Sequence, residues 1–275
     1  MTWLEAALLG LIQGLTEFLP VSSSAHLRIA SLFMKNGADP GAAFTAISQI
    51  GTEAAVLVYF RRDIWRIGAA WFTSLPHGRA TLSPDARMGW LVLLGTGPIS
   101  VAGLLFRHAI ETWLRNLYLT ATMLVVFGLV LAVADIVGRK TRILASMTWR
   151  DGFVLGFAQA MALIPGVSRS GGTISAGLAL GYTRAAAARY SFLLAIPAVL
   201  LSGFYQLIAS RELADGPSWT CLAIATLTAF VVGYGVIIAF LRIVSSRSYM
   251  PFVVYRILAG TTLLGLLTLR YIPAT

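Results

Sequence analysis

The sequence predicts an all-α polytopic membrane protein, organised as an inverted-topology repeat with six transmembrane helices and two re-entrant helix hairpins. Three observations carry this. Hydrophobic residues make up 57% of the 275 positions and charged residues only 12%, about half the share usual for soluble domains. Such a chain lacks the charge to cover a water-facing surface, but lipid can solvate it. Six segments are apolar over about the 20 residues a spanning helix needs. Two further apolar stretches break midway at polar, Pro/Gly/Ser-rich sequence, and those two resemble each other.

The six predicted spans lie near 42–60, 88–106, 117–135, 186–209, 218–241 and 252–270. The first broken stretch, 3–34, is interrupted at Leu19-Pro20-Val21-Ser22-Ser23-Ser24. The second, 151–181, is interrupted at Pro165-Gly166-Val167-Ser168-Arg169-Ser170-Gly171-Gly172. Each half is too short to span. Irregular backbone cannot face lipid with unsatisfied amides, so each break must line a protein cavity. At a constant offset of 146, Trp3, Leu9, Gly10, Gln13, Val21, Ser22 and Ser24 recur as Trp149, Leu155, Gly156, Gln159, Val167, Ser168 and Ser170. Each match opens a unit of one hairpin and three spans, giving repeats near 1–145 and 146–275. An odd number of crossings per unit inverts the second unit in the membrane.

Loop charges give an orientation. With residues 35–41 outside, the loops at 61–87, 136–150 and 242–251 lie inside. They carry Arg61, Arg62, Arg66, Arg79, Arg87, Arg139, Lys140, Arg142, Arg150, Arg242 and Arg247. The outside loops at 107–116 and 210–217 carry Arg107, Arg115 and Arg211. That excess follows the positive-inside rule. It also accounts for the net charge of +10 without nucleic acid, since basic loops beside anionic headgroups are the expected place for it. The first hairpin then enters from outside and the second from the cytoplasm, with their tips meeting near the midplane. Cys221, the single cysteine, precludes an internal disulfide and a thiolate cluster and reads as a packing residue. The opening MTWLEAALLG lacks a basic n-region and a small-residue cleavage site, so it reads as mature sequence.

The breaks hold the chemistry. Gln13 and Glu17 are four apart and share a helix face. Ser22, Ser23 and Ser24 fall where a second short helix should begin, where serine caps the helix and free amides can hold an anion. His26 follows one turn later. Serine runs at helix starts are usually only caps, and a lone histidine usually only packs. A carboxylate at membrane depth differs, because charge there costs on the order of 3 kcal/mol on insertion scales. Glu17 is therefore a functional candidate, and it draws in its neighbours. In the second break, Ser168, Arg169, Ser170, Gly171, Gly172 and Thr173 lie directly before an apolar helix, 174–180. Glycines admit an anion close to the backbone, the helix end is partly positive, and Arg169 offers a planar fork for phosphate oxygens. The two tips together suit phosphoryl transfer. The apolar surroundings suit a lipid at the substrate's other end. A lipid transporter is the competing reading, because broken helices meeting at the midplane of inverted repeats are a transporter signature.

At "GLIQGLTEFLPVSSSAH", "QIGTEAAVLVYFRR" and "PGVSRSGGTISAGLALGYTRAAAARYSFLLAIP" the sequence resembles the undecaprenyl-diphosphate phosphatase family, the bacterial enzymes linked to bacitracin resistance. The resemblance covers essentially the whole chain. It implies hydrolysis of undecaprenyl diphosphate to undecaprenyl phosphate and inorganic phosphate, which recycles the lipid carrier for peptidoglycan. It also implies an inner-membrane site open to the periplasm, and bacitracin as an indirect competitor that binds the substrate. A homodimer is compatible with it. By the same resemblance Glu17, Ser23, His26 and Arg169 are catalytic and Gln13, Ser168, Ser170 and Thr173 belong to the substrate site, to which the helix-start reading adds Ser22, Ser24, Gly171 and Gly172. Mg²⁺ or Ca²⁺ supports activity through Glu17 and Gln13, the latter an uncharged variant of the motif's first position. Either Ser23 or His26 is the nucleophile, Glu17 is base or metal ligand, and His26 is alternatively the acid for the leaving oxygen. Glu53, mid-helix in an apolar segment, should face the cavity and pair with an arginine such as Arg169 or Arg256.

Overall fold

A computed structural model describes residues 1–34, 41–75, 82–209 and 218–273. Among these the chain is helical, with no strand. The first hairpin is α1 (Trp3–Thr16) and α2 (Ser23–Ser31), followed by α3 (Gly41–Tyr59), α4 (Arg61–Ser74), α5 (Pro84–Leu105), a short α6 (Arg107–Glu111) and α7 (Leu117–Val137). The second hairpin is α8 (Trp149–Ala160) and α9 (Arg169–Ala179), followed by α10 (Arg184–Ala209), α11 (Trp219–Ser246) and α12 (Met250–Thr268). Residues 35–40 of the first predicted outside loop, with Arg79 and Arg211, lie outside the described residues.

Among the described residues five helices, α5, α7, α10, α11 and α12, are long and apolar enough to cross a membrane. A sixth crossing exists only if α3 and α4 are counted together, and they are bent by 80°. This corrects the expectation that 61–87 is simply a loop. Arg61, Arg62 and Asp63 stop the apolar run, but the next turns are amphipathic and stay helical along a new direction. Trp65 and Phe72 are exposed, as they would be on a helix lying at the membrane surface. On its other side α4 is pinned by Asp63 to Arg189 of α10 at 2.7 Å and by Arg66 to Asp85 of α5 at 2.9 Å. Trp71 packs edge-on to Trp90 at 5.4 Å.

Both hairpins begin alike. Thr2 caps α1 in a capping box with Glu5, and Thr148 caps α8 in a capping box with Asp151, so each first turn has its orphan amides satisfied. Asp151 does more, accepting from Arg142 at 2.6 Å and from the Tyr182 hydroxyl at 2.6 Å. Burial works against its charge, but the bonds from Arg142, Tyr182 and Thr148 outweigh burial and hold its carboxyl well below the usual range.

Packing follows the same pairing. α1 lies on α11, α8 on α5, α3 on α10 and α7 on α12. Small residues allow close crossings: a Cβ on Gly156 would stand 2.7 Å from Gly95 Cα, so α8 and α5 meet backbone to backbone. The largest apolar cluster surrounds the first hairpin tip, where Phe18 packs edge-on to Phe192 at 5.2 Å. Both tips are thereby seated inside protein rather than lipid, as irregular backbone requires.

Candidate active site

Each tip is set by one strained serine. Ser22 precedes α2 with φ 73° and Ser168 precedes α9 with φ 72°, a left-handed conformation rarely taken by non-glycine residues and often associated with functional sites. α2 starts at Ser23, as expected, but α9 starts earlier than expected. Arg169 to Thr173 form the first turn of α9 rather than a loop before it, because Ser168 Oγ accepts from the Gly171 amide at 3.1 Å. The Gly172 amide donates to the Ser168 carbonyl at 2.8 Å. Those two amides are thus spent inside the helix. Ser22, in contrast, makes no side-chain cap, and its hydroxyl lies 3.3 Å from that of Ser24.

The tips meet at Glu17. Its Oε2 accepts from Ser23 Oγ at 2.5 Å and from Gln13 Nε2 at 2.6 Å. Its Oε1 accepts from Arg169 Nη2 at 2.5 Å. Glu17 is only 7% exposed, so bonds from a hydroxyl, an amide and a guanidinium replace the water it has lost. Ser170 Oγ donates to the Leu19 carbonyl at 3.1 Å and ties the second tip to the first. Glu17, Ser22, Ser23, Ser24, Ser168 and Arg169 all line one cavity of about 620 Å³. Its remaining wall is largely apolar, with Leu27, Ile99, Leu163 and Leu201 among the lining residues, and Arg107 and Arg115 stand where α5 gives way to α7.

Other predicted residues fall elsewhere. Gln13 is fully buried behind Glu17. His26 is not on the cavity wall. Its Nδ1 lies 2.8 Å from the Ser22 carbonyl and its Nε2 2.5 Å from the Tyr255 hydroxyl. A carbonyl can only accept, so Nδ1 carries the proton and Nε2 takes the tyrosine's hydrogen. Thr173 is buried with its hydroxyl unpartnered, and Gly172 borders a separate groove beside α7. Glu53 pairs with Arg169, not Arg256: its Oε2 lies 4.0 Å from Arg169 Nη2.

Arg256 has a part that sequence reasoning missed. It is fully buried on α12. Its guanidinium donates to the carbonyls of Pro20 at 2.9 Å, Gly166 at 2.7 Å and Val167 at 3.1 Å, and to Leu124 of α7 at 3.1 Å. One cation thus satisfies exposed carbonyls from both tips. Gly166, with φ 96°, packs directly on α7, since a Cβ there would strike the Thr120 carbonyl. A lone arginine within an apolar span was the available signal.

For a divalent ion, the donors near the site are oxygens. No group of three or more His, Cys, Asp and Glu comes together among the described residues. Glu17, Glu53 and Gln13 remain, and Glu53 Oε1 and Gln13 Oε1 are buried without hydrogen-bond partners. Such orphan oxygens beside a carboxylate fit a hard cation of the Mg²⁺ or Ca²⁺ type.

Comparison with known proteins gives the family. The family model for the bacitracin resistance protein BacA matches residues 6–262. Undecaprenyl-diphosphatase 2 of Agrobacterium fabrum is 62% identical over 274 residues, covering 100% of this chain and 99% of that protein. The undecaprenyl-diphosphatase of Paenarthrobacter aurescens is 62% identical over 277 residues, covering 100% of both. That of Micrococcus luteus is 57% identical over 279 residues, again covering 100% of both. With the family model spanning nearly the whole length and full-length relatives at this identity, the chain belongs to the bacitracin resistance protein BacA family.

Proposed function

We propose that this multi-pass membrane protein hydrolyses undecaprenyl diphosphate to undecaprenyl phosphate and inorganic phosphate. The observation that carries the reading is the chain Ser23–Glu17–Arg169 on the wall of a largely apolar cavity. Ser23 Oγ already donates to Glu17 Oε2 at 2.5 Å, the reach a general base needs. Ser23 attacks the terminal phosphorus while its proton passes to Glu17. The bond from phosphorus to the bridging oxygen breaks, and that oxygen takes the proton from Glu17 as undecaprenyl phosphate departs. Water then attacks the phosphoserine, giving one proton to Glu17, which returns it to Ser23 as inorganic phosphate leaves. Arg169 turns from Glu17 to the phosphoryl oxygens and offsets their charge. A divalent cation held by Glu17 and Gln13 would add further neutralisation of the diphosphate. His26, bonded to Tyr255 and the Ser22 carbonyl and absent from the cavity wall, holds the start of α2 in this scheme rather than attacking.

The cavity is read as opening to the periplasm of the inner membrane. Support comes from Arg107 and Arg115 among its lining residues, on the loop that the charge distribution assigns to the outside. Removing the diphosphate lipid that bacitracin binds, and returning the carrier to peptidoglycan synthesis, follow from the same reaction. The two halves are further read as inverted repeats, supported by their matched capping boxes and strained serines.

The test is phosphate release from undecaprenyl diphosphate in detergent. Ser23→Ala should lose at least about 100-fold in kcat, and enzyme quenched in mid-reaction should carry the terminal phosphate on Ser23. Retained turnover in Ser23→Ala, or label on His26, would overturn the assignment.

A further inference from the structure

The reaction leaves one carboxylate at membrane depth unused. Glu53 sits mid-way along α3 and is 1% exposed. Its Oε2 faces Arg169 Nη2 at 4.0 Å, and the same nitrogen is 2.5 Å from Glu17 Oε1. Two carboxylates from different helices therefore share one guanidinium. The other oxygen of Glu53 has no partner, and neither does the carbonyl oxygen of Gln13, whose nitrogen is held by Glu17.

We propose that Glu53 is the second carboxylate ligand of a divalent cation, and that Arg169 occupies the cation's place between Glu53 and Glu17 until a diphosphate draws the guanidinium away. The charges require something of this kind. When Arg169 turns to the phosphate, Glu17 and Glu53 are left with two negative charges, which one divalent ion neutralises. The donors suit it: two carboxylates and an amide oxygen, all hard. Mg²⁺ commonly takes only one or two carboxylates and completes its shell with phosphate oxygens and water. No third acidic residue is therefore needed. Gln13 supplies an oxygen but no charge, so the second negative charge comes from α3. The inference rests on the reading of Glu17 and Arg169 as the catalytic pair.

The test is Mn²⁺ binding followed by electron paramagnetic resonance on the purified full chain in detergent, with and without a methylene-bridged polyprenyl diphosphonate that cannot be hydrolysed. The unaltered protein should bind Mn²⁺ at least tenfold more tightly with the analogue than without it. Arg169→Gln should bind tightly without the analogue. Glu53→Gln should lose the tight site, and Gln13→Glu combined with Glu53→Gln should regain it. If Glu53→Gln fails to fold, Glu53→Asp, which keeps the charge, should show weakened but measurable binding. Ser23→Ala should bind Mn²⁺ normally while losing turnover, which separates failure of this inference from failure of the reaction scheme. Mn²⁺ affinity unchanged in a folded Glu53→Gln or Glu53→Asp, or no gain in Arg169→Gln, would overturn the proposal.

Discussion

The two re-entrant hairpins share a backbone and divide the chemistry. Both open with a threonine capping box, and both turn through a serine with φ near 72° before a second short helix. Where the first carries Glu17 and Ser23, the equivalent positions of the second carry Leu163 and Arg169. The acid and hydroxyl lie on one tip and the cation on the other. Neither tip holds a satisfied charge alone, since Glu17 at 7% exposure needs Arg169 and Arg169 needs a carboxylate or a phosphate. Two similar turns thus carry opposite charges that meet at one contact.

The sharpest way to break that division is to neutralise one side. Glu17→Gln and Arg169→Gln should each cut phosphate release by about 10²–10³-fold or more, the usual cost of removing a general base or an oxyanion donor. Ser23→Ala should match them. A double variant that is barely worse than either single one would show that the two tips act as a unit.

The capping boxes differ more quietly. Asp151 also holds Arg142 and Tyr182, whereas Glu5 sits at an exposed helix start. Asp151→Asn should cost about 2–3 kcal/mol, below the 3–5 typical of fully buried pairs because the Arg142 side chain is 30% exposed. Glu5→Gln should cost a few tenths. The folded carboxyl of Asp151 lies below its unfolded value, so its contribution is complete above roughly pH 4 and disappears as pH falls through the folded value. The gap in melting temperature between the parent and Asp151→Asn should therefore hold from pH 7 to about pH 5 and close only in stronger acid.

The smallest contrast lies in the serines. Ser168 caps an amide and Ser22 does not. Ser168→Ala should lose about 1 kcal/mol and Ser22→Ala much less. Equal losses in thermal unfolding would mean that the two turns are held in the same way after all.

Much of this was legible in the sequence because the membrane makes errors costly. Polar breaks at Pro20–Ser24 and Pro165–Gly172 read as cavity linings, and Glu17 and Arg169 as functional candidates that the structure brings into contact, since charge at that depth is costly to leave idle. Where solvent or protein could satisfy a group in several ways, sequence said less. Arg61–Ser74 has the charge of a loop, and only its amphipathic face, seated on α5 and α10, keeps it helical. His26 was placed near the nucleophile by its spacing, but spacing along a helix does not tell which way an imidazole turns, and Tyr255 lies 229 residues away. The capping roles of Ser22 and Ser168 looked alike because the residues are alike; their hydrogen bonds are decided by neighbours.

Arg256 bears on how such a molecule is made. It belongs to α12, the last helix described, yet it holds Pro20 near the start of the chain and Gly166 and Val167 in the middle. During synthesis both hairpins are in the membrane before that guanidinium arrives. Until then the carbonyls it will satisfy must find water or one another, and the two half-sites have no common fastener. The cleft is therefore completed only when α12 inserts, and a chain released before α12 would hold the side chains of both tips without the part that keeps them in register.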